Sequence, residues 1–373
     1  MQRLAQIPRP DWPAQVEALG LSFHSIGGIP YWDEGVAYSF SPREIETLET
    51  AANELQALAL TAAEGIIKRG DYARFGIPEA AIPLIEASWE ADEAGFYGRF
   101  DFHFDGVTPP KLLEYNADTP TSLLEAAVVQ WDWLEAVHPG RDQFNWIHEA
   151  LIEAWGSLKL PAGPLAFSSL NDSEDQATLF YLMETATQAG LAPEFVPIPK
   201  IGWDGRSFVD LHDRPIASLF KLYPWEWLVT EPFAAYIPQG ATRWIEPAWK
   251  LLLTGKGLLV ALWDLAPGHP NLLPAAFTPE AIPSPRVRKP LWGREGANVR
   301  LERPGEADLA LAGPFEHQPM VWQSRSSLPC FDGNYPVLGV WTVDSEACGL
   351  CIREDVLPIT GNSSRFVPHF IEG

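Results

Sequence analysis

Two rhythms run along this chain. Apolar residues recur at helical spacing after residue 41, and at a spacing of two around residue 100. Ser41-Pro42-Arg43-Glu44 reads as a capping box with proline in the first turn. Ile45, Leu48, Leu55, Leu58, Ala62 and Ile66 then fall on one helical face that ends at Gly70. Ser122-Leu123-Leu124-Glu125 reads as a second capping box, opening LLEAAVVQWDWLEAV, and a further helix is predicted over about 142–156. The first 40 residues, rich in proline and glycine, carry few periodic signals.

Residues 164–222 change character. LAFSSL predicts a buried strand, Asn171 or Asp172 a cap, and EDQATLFYLMETATQAG a helix that stops at Gly190. FVPIPK and IASLFKLY predict further strands, with a hairpin around Asp204-Gly205 between them. Strand–helix–strand order implies a small sheet with a right-handed crossover, so an inserted α/β domain is expected over about 160–240. Beyond residue 244 a helix and strands around Val287, Val321 and Val337 are predicted. The fold class is α+β or α/β, in several lobes.

The period-two segment carries the chemistry. In Arg99–Asp105, Arg99, Asp101 and His103 share one face and Phe100, Phe102 and Phe104 the other. After a turn at Asp105-Gly106 and Pro109-Pro110, Glu114 and Asn116 share a face opposite Leu113 and Tyr115. A hairpin symmetric about residues 107 and 108 puts Asp101 across from Glu114, and Arg99 across from Asn116. Carboxylates facing each other across a ladder repel. A hard divalent cation such as Mg²⁺, which takes carboxylate and amide oxygens, would account for the pair. So would acid–base chemistry on a shared proton, or a solvated edge hairpin.

Charge narrows the choice of partner. The 373 residues include 49 acidic and 26 basic side chains, a net charge of −23. Such a chain repels phosphate backbones, which argues against nucleic-acid binding. Basic clusters are therefore conspicuous where they occur. Arg286–Asn298 holds Lys289 and a loop bracketed by Gly293 and Gly296, where backbone N–H groups could approach phosphate. Lys256, between Gly255 and Gly257, is a second candidate phosphate contact, and Arg353 ends a strand with a guanidinium suited to phosphate or carboxylate. Surface lysines, and an Arg353 paired with Glu354 or Asp355, are the plainer readings. No apolar run is long enough to span a membrane, and three cysteines, Cys330, Cys348 and Cys351, suit a reducing cytoplasm. Sixteen scattered tryptophans read as core packing, with sugar stacking as the alternative.

Taken together, RFDFHFDG…LLEYNADTPTSLLEA, KPLWGREGANV, FDGNYPVLGVW and IREDVLPITGNSSRFVPH resemble the glutathionylspermidine synthase family, in order, from about residue 20 to the end. The resemblance implies a permuted ATP-grasp fold with an inserted pre-ATP-grasp-like α/β domain. Its parts would be residues 1–160 with the metal-binding hairpin, 161–240 as the substrate domain, and 241–373 with the nucleotide-binding lysines and a lid loop. The implied activity is ATP- and Mg²⁺-dependent ligation through an acyl phosphate, joining a glutathione-like carboxylate to a polyamine-like amine. Asp101, Glu114 and Asn116 match the metal ligands, and Arg99 and Arg353 the arginines near the reacting groups. Lys256 and Lys289 match the nucleotide-contacting lysines, with Gln323 near the adenine. Thr119, Thr121, Glu174 and Asp175 match substrate contacts. An amidase domain found in bifunctional members is not expected in this chain. The expected partners are small molecules, with neither nucleic acid nor membrane. A non-catalytic ATP-binding module, and a glycoside hydrolase using Asp101 and Glu114, are the competing readings.

Overall fold

A computed structural model describes residues 1–373. At its centre is a five-stranded antiparallel sheet. Its strands lie in the order Arg365–Phe366, Glu346–Asp355, Tyr335–Val343, Tyr97–His103 and Lys111–Asn116. The alternating segment thus pairs with the chain's far end, Asp101 against Gly339 and Arg99 against Trp341. Both faces are covered. The helix Pro42–Arg69 lays Ile45, Leu48, Leu55, Ala59 and Ile66 over one face, in a core with Phe100, Phe102, Leu338 and Val340. The helix Ile147–Ser157 closes a second core with Trp341 and Cys351. Burying such apolar surface contributes about 25 cal/mol per Å².

The capping box at Ser41 forms as predicted, with the Ser41 hydroxyl accepting from the Glu44 N–H and the Glu44 carboxylate accepting from the Ser41 N–H. Gly70 ends the helix in the left-handed conformation, φ 64°. The second capping box does not form. Ser122 has φ 68°, its hydroxyl meets Tyr31, and the Glu125 carboxylate accepts from the Tyr31 hydroxyl rather than reaching back. The helix there widens into a π-turn, Glu125–Val129, before continuing as Gln130–Val137. Nor does the next helix begin near 142: residues 142 and 145 bridge to Ile371 and Gly349, and regular structure starts at Ile147.

The α/β unit is a four-stranded parallel sheet in the order Arg243–Ile245, Ser218–Leu222, Leu165–Ser169 and Pro193–Phe195. Asp172 caps its helix Ser173–Gln188 by accepting from the Glu174 and Asp175 N–H groups. FVPIPK is a strand only at its start, because Pro197 and Pro199 lead into a 3-10 turn, Ile198–Lys200. The outer strand Arg243–Ile245 lies just past the boundary expected at residue 240. A second five-stranded antiparallel sheet takes Arg286–Pro290 and Met320–Ser324 as adjacent strands, with Gly257–Leu265 packed beneath it. The helix expected after 244 is broken at Gly255, an extended residue. No helix is long and apolar enough to cross a membrane.

Candidate active site

The two sheets and the parallel unit face a common cleft of about 520 Å³. One wall is the predicted hairpin. Its register pairs Asp101 with Glu114 and Arg99 with Asn116, as the alternation implied, and then shifts, so that Phe102 pairs with Leu112. The shift leaves Leu113 outside the ladder, a bulge of the kind that redirects a strand. Its carbonyl accepts from Lys289 Nζ at 2.6 Å, and Lys289 also donates to Gln323 Oε1 at 2.8 Å.

The hairpin is held from behind. Glu246, fully buried, accepts from the N–H groups of Phe96 and Tyr97 at 2.8 and 2.9 Å, and Lys250 Nζ donates to the Tyr97 carbonyl at 2.5 Å. Phe100 stacks on Tyr115 at 3.7 Å. Gly339 makes room for the neighbouring side chains: a Cβ there would lie 2.6 Å from Cys351 Sγ and 2.7 Å from Arg99 Cδ.

Two cations, one from the hairpin itself and one from far along the chain, meet the carboxylates. Arg99 donates from Nε and Nη2 to both oxygens of Asp101, at 2.7 and 3.1 Å, and from Nη1 to the Thr121 carbonyl at 2.8 Å. Lys256 Nζ lies 3.0 Å from Glu114 Oε2 and donates to the Gly293 carbonyl at 2.9 Å. Asn116 Nδ2 donates to Asp101 Oδ2 at 3.0 Å. Burial raises the Asp101 carboxyl above its usual range against the pull of Arg99. Burial also works to raise Glu114, but Lys256 and Lys289 hold it down at about 2. Burial lowers Lys289 to about 8, Glu114 opposing and Lys256 assisting.

The opposite wall is acidic. Thr121 Oγ1 donates to Glu174 Oε1 at 2.7 Å, and beside it Asp175 is raised to about 7 by burial and by neighbouring Asp172 and Glu174. Arg353 donates to the carbonyls of Gly361, Asn362 and Ser364, with its guanidinium 5.1 Å over the Tyr31 ring, rather than to Glu354 or Asp355. Gly296, φ 66°, admits no side chain, since a Cβ would come within 2.3 Å of the Thr360 carbonyl.

Arg99, Asp101, Glu114, Asn116, Thr119, Thr121, Glu174, Asp175, Lys289, Gly296, Gln323 and Arg353 all line the cleft. Lys256 and Gly293 do not; they border a smaller cavity, about 20 Å³, behind Asn116 and Thr119. Two carboxylates and an amide from adjacent strands make a hard-oxygen set that fits Mg²⁺, once the Asn116 amide turns its oxygen inward. Three side chains escaped the sequence reading. Arg325 and Tyr335 line the cleft, and Glu226 holds Arg294. Arg325 adjoins a predicted strand, which was its only signal. The largest fully buried side chains include Trp32, Trp133, Trp155, Trp225 and Trp341, as core packing requires.

A family model described as glutathionylspermidine synthase preATP-grasp matches residues 3–372. The chain belongs to the glutathionylspermidine synthase family, and is by that membership an ATP-dependent carbon–nitrogen ligase. It is 45% identical to a Haemophilus influenzae protein named "Putative acid--amine ligase", over 99% of each chain. It is 30% identical to a trypanothione synthetase from Crithidia fasciculata, over 78% of this chain and 50% of that one. It is also 28% identical to a bifunctional glutathionylspermidine synthetase/amidase from Escherichia coli, over 85% of this chain and 56% of that one. The chain thus matches the first throughout and spans about half the length of the other two. Membership in a ligase family argues against the glycoside-hydrolase alternative.

Proposed function

We propose that the protein is a permuted ATP-grasp enzyme that joins the terminal carboxylate of a glutathione-like peptide to a polyamine-like amine, through an acyl phosphate formed with ATP. The observation that carries this reading is the convergence of one carboxylate rung, Asp101 and Glu114, with Arg99 and Lys289 at one end of a cleft whose other wall is acidic, Lys256 reaching Glu114 from the small cavity behind.

Asp101, Glu114 and Asn116 would hold Mg²⁺, which when bound offsets phosphate charge and aligns the transferred phosphoryl group. Lys289 and Lys256 approach from the second sheet and the helix beneath it, the side from which a nucleotide would lie against Gln323. Arg99 and Arg353 face the cleft from two strands of the central sheet that flank Tyr335–Val343, and would stabilise the charge that develops as the carboxylate oxygen attacks phosphorus. Thr119 and Thr121 would bind the peptide carboxylate's flank. Glu174 and Asp175 would attract a cationic amine. An ionised Asp175, whose affinity for protons is raised, is suited to take the proton the amine sheds on attack. Mg²⁺-dependent ADP release tests the reading. Release should require both a peptide carboxylate and a polyamine; release that ignores both substrates would refute the ligation.

A further inference from the structure

Arg294 is the one basic side chain of the loop Trp292–Asn298, and it is tied on three sides. Its Nη2 donates to Glu226 Oε1 at 2.5 Å and its Nη1 to Thr119 Oγ1 at 3.1 Å, and the guanidinium lies 5.3 Å over the Trp227 ring.

Glu226 and Trp227 belong to a single helical turn, Trp225–Leu228, that is itself anchored. Asp118 accepts from the Trp225 N–H at 2.8 Å and from Lys221 Nζ at 2.6 Å, and both Asp118 and Lys221 are wholly buried. Asp118 and Thr119 follow closely on Asn116 of the hairpin. The contacts therefore form a circuit: from the hairpin through Asp118 to the turn, from Glu226 to Arg294, and from Arg294 back to Thr119. Glu226 is 9% exposed, and its second oxygen is buried without a partner. That residue borders the 20 Å³ cavity with Asn116, Thr119, Lys256 and Gly293, space enough for one water.

We infer that Glu226 is a positioning residue: its carboxylate sets Arg294 at the junction of the cleft and the small cavity, and so fixes the loop against the hairpin. The inference rests on the ligase reading for the purpose of that placement, though the contacts stand without it. The loop needs such an anchor. Glu295 and Asn298 have φ 53° and 58°, a region that costs non-glycine residues energy, and Gly293 and Gly296 add backbone entropy to be lost on ordering. A shielded ion pair and an aromatic face under one guanidinium oppose both costs.

The test is a double-variant cycle on the full chain, Glu226→Gln, Arg294→Gln and the pair together, read by amide hydrogen exchange over 290–299 without nucleotide. Each single change should speed exchange there about tenfold, a loss of about 1.4 kcal/mol, and the double should be no faster than either. Glu226→Asp, which keeps the charge, should recover most of the protection. In parallel, Glu226→Gln should weaken binding of a non-hydrolysable ATP analogue with Mg²⁺ about tenfold with the melting temperature nearly unchanged. Unchanged exchange in Glu226→Gln, or additive effects in the double, would overturn the inference. If the unaltered protein bound no nucleotide, the ligase reading would fail while the exchange data still decided the role of Glu226. If Glu226→Gln failed to fold, the comparison of Arg294→Gln with Glu226→Asp would decide it in the same way.

Discussion

Asp101 and Glu114 face each other in one rung of the hairpin, yet each is paired with a different cation, Arg99 from its own strand and Lys256 from a helix in the second half of the chain. The like charges of the rung are thus offset from within the protein. The two carboxyls are not equivalent: burial is the largest influence on each and prevails at Asp101, whereas at Glu114 Lys256, Lys289 and Arg99 together outweigh it.

That asymmetry reverses a simple expectation. Relief of like-charge repulsion alone would make removal of either carboxylate stabilising. Glu114→Gln instead strands Lys256 and Lys289, both buried, without their countercharge. It should lower the melting temperature in the absence of Mg²⁺ by about a few degrees. The folded-state value of about 2 is depressed from 4.5, so this stabilisation is present above pH 4.5 and lost as pH falls toward 2. Calorimetry of both proteins from pH 3 to 7 checks it: the difference should grow with pH.

Lys289 offers a proton count. Its value of about 8 means that it is partly neutral at pH 8.5. Phosphate beside it would favour the charged form. Nucleotide binding should therefore take up protons near pH 8.5, and affinity should fall as pH rises through 8. Calorimetric titration in buffers of differing ionisation enthalpy measures the uptake; Lys289→Ala should abolish it and weaken binding about tenfold or more.

Asp175 is predicted to trade stability for binding. A carboxyl raised to about 7 costs the folded state stability that is lost progressively as pH rises from 3.8 toward 7. Asp175→Asn should thus raise the melting temperature at pH 8 while weakening binding of a polyamine. In the unaltered protein, polyamine affinity should increase as pH passes upward through 7. Salt should weaken that binding, since exposed charge is screened within about 8 Å at physiological ionic strength.

The thiols are expected to differ in reactivity. Cys330 is exposed, whereas Cys348 and Cys351 are buried, and burial pushes both thiols up, Cys348 well above the usual range and Cys351 to about 11. In the native protein one thiol should react quickly with an aromatic disulfide reagent, and all three after denaturation. Fast reaction of two or three native thiols would contradict the packing.

The hairpin was legible because alternation is a local property: seven residues suffice to sort Arg99, Asp101 and His103 from the three phenylalanines. The bulge at Leu113 was not, because what it presents is a carbonyl for Lys289, far along the chain. The capping pattern at Ser122 misled for a similar reason. Tyr31 draws both the Ser122 hydroxyl and the Glu125 carboxylate away from the helix end. The pairing of Arg294 with Glu226 crosses between the second antiparallel sheet and the parallel unit, and no spacing within either segment signals it. Asp172, by contrast, was readable as a cap because cap and helix are adjacent.

In the proposed reaction a carboxylate is activated by phosphoryl transfer before the amine attacks. Isotope transfer tests it most directly. With ¹⁸O in the terminal carboxylate of glutathione, and spermidine and Mg·ATP supplied, the attack on the acyl phosphate leaves one carboxylate oxygen on phosphate. The account predicts ¹⁸O in the released inorganic phosphate, in step with ADP and amide, and none when Glu114→Gln replaces the protein. Amide and ADP formed with unlabelled phosphate would contradict it.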